Sequence, residues 1–141
     1  MAAFLLLAGC SGATAVQSVP VQGAQSATSS VAPPITVVLA DGSDVTMEYE
    51  TVSKLPLQTL EIAGRSEHGP TLTTFLEAAG VAQFSRVTFF GLDDRTLSFT
   101  PDQLTDEYIL ALRSKSSAVN LMSPNLTEDQ WVLHVFRVEV K

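Results

Sequence analysis

The first charged side chain in this chain is Asp41; the forty residues before it carry none, while all fifteen acidic and all eight basic residues lie from that position onward. A folded head in water needs charge on its surface, so a break this sharp divides the chain into a leader and a domain. The domain must then be built from about a hundred residues. Net charge −7 and scattered Lys and Arg from Lys54 to Lys141 argue against nucleic acid, which needs a clustered basic face.

Within the leader, Met1 to Cys10 reads Met-Ala-Ala-Phe-Leu-Leu-Leu-Ala-Gly-Cys. Leu7-Ala8-Gly9-Cys10 matches a bacterial lipobox: small residues at 8 and 9 enter a peptidase site, and the thiol of Cys10 takes the diacylglycerol. The apolar run is far short of the ~20 residues a membrane span requires. Cys10 is the chain's one cysteine, so an internal disulfide is impossible and a thiolate metal cluster has no second member. A buried structural thiol is the alternative. The segment lacks a basic n-region, so the true start is expected upstream of Met1. Ser11 in place of Asp leans toward the outer membrane in a two-membrane cell. The expected localisation is extracytoplasmic, with a lipid anchor as the membrane partner.

Residues 11–34 are Ser, Ala, Gln, Thr, Val, Gly and Pro, without charge, aromatic residue or periodicity, and they end in Ala-Pro-Pro. This composition predicts a flexible tether reaching on the order of 25–30 Å root-mean-square.

From residue 35 the patterning becomes regular. Ile35–Leu39 and Val45–Tyr49 predict a hairpin around Asp41-Gly42, and residues 50–54 a short helical turn that Pro56 ends. Leu57–Ala63 predicts a strand with Gln58, Leu60 and Ile62 on one face. The segment 69–81 predicts a helix: Leu72, Phe75, Leu76 and Ala79 form one apolar stripe, Thr71 caps its start and Gly80 fits its end. Arg86–Phe90 and Thr96–Phe99 predict a second hairpin, with Asp93 and Asp94 explained by its turn and not by a cation site. Thr100, Pro101 and Gln103 mark a helix start. Tyr108–Leu112 predicts a buried strand, and 114–129 a loop holding a short strand at 119–122. In the closing run Val132, His134, Phe136, Val138 and Val140 are expected on one face, which makes His134 a core or rim histidine. Trp131 reads as a core anchor. The class is α+β, mostly antiparallel sheet with one or two short helices.

These landmarks resemble a known family. Ile62-Ala63-Gly64-Arg65, then the Leu72 to Val81 helix, then Ser98-Phe99-Thr100-Pro101-Asp102-Gln103-Leu104, Ile109–Leu112 and Trp131-Val132 through Val138-Glu139-Val140 follow in order. The run of about residues 35–141 resembles the molybdopterin-binding domain of sulfite-oxidase-type oxidoreductases. The resemblance implies that fold and a cofactor cleft beside residues 62–68. In catalytic members a Cys-Ala-Gly-Asn-type segment supplies the molybdenum ligand; here Ile62 stands at the matching position with no donor atom. The family's Gly-Gly-Pro-x-Arg segment is also missing from Ser114 to Leu126.

The head therefore reads as a non-catalytic scaffold with no cofactor expected, its candidate ligand cleft at Ile62, Arg65 and His68, and its partner an envelope protein or small ligand. His68, placed in a loop, reads as solvent-exposed, with a small-ligand role as the alternative. The competing reading of the whole is a molybdopterin-dependent oxidoreductase or cofactor-binding subunit.

Overall fold

A computed structural model describes residues 32–141; Cys10, the lipobox around it and the tether up to residue 31 lie outside the described residues. Its central element is a five-stranded sheet of order β2-β1-β9-β5-β6, formed by β1 (Ile35–Val38), β2 (Asp44–Met47), β5 (Val87–Gly91), β6 (Thr96–Phe99) and β9 (Val135–Val140). All neighbours are antiparallel except β1 and β9, which run parallel with Val37 opposite Val138. One face is apolar: Ile35, Val37, Met47, Val87, Phe89, Phe99, Val138 and Val140 are buried there. The other face carries polar pairs such as Thr88 with Ser98 and Arg137 with Glu139, as an antiparallel sheet wetted on one side should.

Two helices cover the apolar face. α1 (Tyr49–Ser53) is a single short turn that buries Val52. α2 (Leu72–Ala78) buries Leu72, Phe75 and Leu76, the predicted stripe. Thr71 Oγ1 accepts a hydrogen bond from Thr74 N at 3.1 Å. At the far end Gly80, with φ of 87°, lets Val81 N donate to Leu76 O and Gly80 N to Glu77 O, the paired bonds of a Schellman stop.

Two small hairpins complete the head. β3 (Gln58–Ile62) pairs with β4 (Arg65–Gly69), and β7 (Ile109–Arg113) pairs with β8 (Ala118–Met122). β8 is buried at every position, unlike the polar stretch around it.

Several sequence expectations need correction. Residues 65–69 form strand β4 and not a loop, so His68 sits on a strand opposite Thr59. Ala63 leaves the strand for its turn. The helix start at Thr100 yields one turn of 3₁₀ helix over Pro101–Gln103, with Thr100 N donating to Gln103 Oε1 at 2.8 Å. At the start of the described residues, Ala32 N donates to Ser116 O at 2.9 Å.

The closing strand departs most. The β5–β9 register slips between Phe90 and Gly91, so Phe136 is an extra residue on β9. A bulge of this kind shifts the inward-facing phase by one residue. Val135 is buried in place of His134 and Phe136, and His134 is exposed with φ of 53°.

Candidate functional site

The β3–β4 hairpin turns on two residues, Ala63 and Gly64, both with positive φ (54° and 78°). That geometry matches the right-handed twist of paired strands, and it sets Ile62 opposite Arg65. Ile62 points into a second apolar cluster with Ile109, Ala111, Met122 and Trp131 and is 1% exposed. Arg65 stays 61% exposed.

Farther along β4 the inward residue is Glu67, almost fully buried. A buried carboxylate needs a partner, and Arg113 of β7 supplies it: Nη1 donates to Oε2 at 2.7 Å and Nη2 to Oε1 at 3.1 Å. Arg65 Nη2 approaches the same carboxylate at 3.8 Å. The two strands close on each other at Gly69, where a Cβ would stand 1.9 Å from Leu110 O. Leu110 N donates to Pro70 O, and Leu72 N to Tyr108 O, which locks β7 to the start of α2.

Beside this junction opens a cleft of about 490 Å³, lined by Arg65, Arg95, Arg113, Asn120, Trp131 and Leu133 together with the acidic Glu128 and Asp129. Trp131 and Leu133 also border the apolar cluster that holds Ile62, so the cleft lies against that cluster. Arg95 comes from the β5–β6 turn. Its Nη1 donates to the carbonyls of Glu128 and Trp131, both at 3.2 Å, and its Nε lies 3.6 Å from Asp93. Asp93 in turn accepts from Arg95 N and Leu133 N, so it serves the turn, as the sequence implied.

Asn120 is 7% exposed; its Oδ1 accepts from His134 N at 2.9 Å, which assigns the other amide atom as a donor. That donor has no acceptor among the described residues. Trp131 Nε1 is buried and has none either. The Thr127 hydroxyl donates to Asp129 and holds its carboxyl below the ordinary aspartate range, assisted by its own backbone N–H and by the charge of Arg95.

Of the residues singled out in sequence, Arg65 lines this cleft, Ile62 lies in the adjoining cluster, and His68 is exposed on β4 and does not line it. Arg95, Arg113 and Asn120 went unrecognised. Only Arg113 left a signal, as a charge ending an apolar strand; Arg95 and Asn120 reach the cleft through a turn and a buried strand that local patterning does not connect.

Molybdenum at the position implied by the resemblance needs a thiolate. Ile62 offers a saturated side chain enclosed by Met122, Trp131 and Ile109, and no group of three His, Cys, Asp or Glu among the described residues is arranged to hold a metal. These residues do not fit a thiolate-bound metal.

No protein-family profile matches the chain, and no curated protein does. Among solved structures, the sulfane dehydrogenase SoxCD from Paracoccus pantotrophus is similar with a TM-score of 0.61 and 16% identity, over 81% of this chain and 39% of that one. The chain thus spans about two fifths of the length of that relative. At this identity the likeness speaks to architecture alone: an α+β, mostly antiparallel fold resembling a sulfite-oxidase-type molybdopterin domain.

Proposed function

We propose that this chain is a lipid-anchored extracytoplasmic protein whose head has an oxidoreductase fold but works as a binding module without redox chemistry. The observation that carries the non-catalytic half is Ile62. Where the resemblance expects a sulfur donor, the side chain is aliphatic, 1% exposed and packed among apolar neighbours. Filling that position with hydrocarbon leaves no atom for a metal to bind. The anchoring half rests on Leu7-Ala8-Gly9-Cys10 and on the charge-free stretch that follows it. Two or three acyl chains at Cys10 give stable attachment, each buried CH₂ contributing ~0.8 kcal/mol.

One preparation tests both halves. The full chain, expressed in a molybdenum-replete bacterial host fed an alkyne-tagged fatty acid, should carry label at Cys10 and lose it in Cys10→Ser. It should contain far less than one molybdenum per chain and no pterin fluorescence. Stoichiometric molybdenum would favour the competing reading, a cofactor-binding oxidoreductase subunit, which the shared architecture alone recommends. An unlabelled Cys10 would remove the anchor.

A further inference from the structure

Among the described residues the five-stranded sheet ends in two edge strands, β2 and β6, and they are built differently. β2 opens with the charged Asp44. β6 reads Thr-Leu-Ser-Phe, with no charge and no proline to discourage another strand from pairing. Gly91 N donates to Arg95 O, which makes those two a hydrogen-bonded pair. Alternation gives Phe89 with Leu97 and Val87 with Phe99 the same role, so Thr96 and Ser98 turn their N–H and C=O groups away from β5. No further strand meets them there among the described residues.

A second cleft, of about 390 Å³, runs beside that edge. Leu97, Tyr108 and Leu126 give it half-buried apolar surface, and its charged lining residues, Asp102 and Glu107, are both acidic. Tyr108 is held edge-on to Phe99 with ring centres 4.9 Å apart, which fixes the apolar wall. Glu107 accepts from Asn125 Nδ2 and Asp102 from the Thr100 hydroxyl, so each keeps one oxygen without a donor among the described residues. Neither carboxylate has a Lys or Arg partner among those residues.

We propose that β6 takes up an extended, basic segment of a partner protein as a sixth strand of this sheet, with Asp102 and Glu107 holding its Lys or Arg side chains. The inference deepens the binding-module reading and names the kind of partner. Main-chain pairing gives affinity for an extended chain, and the side chains beside the edge select which chain it is. Apolar side chains of the segment meet Leu97, Tyr108 and Leu126, while its cations meet the two carboxylates. A second copy of this chain suits the edge less well, because a net charge of −7 on each copy opposes their approach.

The test titrates the full ¹⁵N-labelled chain with acetyl-(Lys-Val)₃-amide, and with acetyl-(Glu-Val)₃-amide as the charge-reversed control. The readouts are the Thr96 and Ser98 backbone amide resonances and their rates of hydrogen exchange. The lysine peptide should give saturable shifts and slowed exchange at both amides, and the glutamate peptide should leave both unchanged. A fully N-methylated lysine peptide keeps its charge but cannot pair as a strand, so it should not bind. Ser98→Pro removes an outward N–H at a position where an edge strand tolerates proline. Thr96 should then no longer respond, while the thermal unfolding midpoint confirms that the head folds. Asp102→Asn combined with Glu107→Gln keeps the acceptors for Thr100 and Asn125 and should weaken binding about fivefold. Equal responses to the two peptides, shifts that never saturate, or binding that survives N-methylation or Ser98→Pro overturn the proposal. Shifts at Thr96 and Ser98 on concentrating the chain alone would place a second copy at the edge and overturn it too. A molybdenum-loaded protein would defeat the binding-module reading whatever the peptides do; a metal-free protein blind to the lysine peptide would defeat this inference alone.

Discussion

Replacing Gly69 with alanine tests how the head is held together at its tightest point. The added Cβ would lie 1.9 Å from Leu110 O and 2.6 Å from Leu110 C, where ordinary contact starts near 3.4 Å. Both atoms are main chain of Leu110, itself fully buried, so no flexible side chain can swing aside. β4 must therefore retreat from β7 by on the order of 1.5 Å. A shift of that size stretches the 2.9 Å bond from Leu110 N to Pro70 O and draws Glu67, two residues back, away from Arg113. Overpacking alone costs about 1–3 kcal/mol, and parting a buried ion pair about 3–5 kcal/mol. The two overlap, since one movement causes both, so a loss of about 3–5 kcal/mol is expected. With a urea slope of about 1.5 kcal/mol per molar, the midpoint should fall by about 2–3 M. The control is Gly64→Ala, five residues away, where no atom lies within 4 Å and only the φ of 78° resists. That change should cost about 1 kcal/mol. Equal midpoints for the two variants would refute the claim that close strand approach makes Gly69 necessary.

Two further outcomes follow from the same hairpin and cleft. Ala63 holds φ of 54° in a turn that favours glycine, so Ala63→Gly should raise stability by about 0.5–1 kcal/mol, read as a rise in the thermal midpoint of about 3 °C. Asp129 has its carboxyl pKa lowered on folding, so its contribution is present above the unfolded value of 3.8 and lost as pH falls through the lower folded one. Thr127→Ala should shrink that pH dependence in acid denaturation curves, and an unchanged curve would remove the Thr127 hydroxyl as its cause.

The elements that could be read from residues alone are those whose stabilising contacts are local. α2 declares itself through one apolar stripe with Thr71 and Gly80 at its ends, and all of these act within a few residues. β4 does not. Arg65-Ser-Glu-His-Gly has no apolar alternation, and its inward residue is a carboxylate stabilised by a guanidinium forty-six positions later. The cleft is half visible for the same reason: Arg65 follows directly from the hairpin turn, while Arg95 arrives from the β5–β6 turn and Arg113 from the end of β7. His134 failed differently. Strict alternation along 132–140 does not hold across Phe136: the bulge there puts Val135 inside and His134 outside, while Val132 stays buried.

The parallel seam between β1 and β9 has a temporal meaning. Thr36 and Arg137, about a hundred residues apart, must meet before the middle of the sheet exists. Until the strand at 135–140 has left the ribosome, β1 has only β2 beside it and the apolar face has no floor. Closing so long a loop is slow. A nascent chain of this design therefore keeps its central sheet incomplete until nearly all of the head has been synthesised.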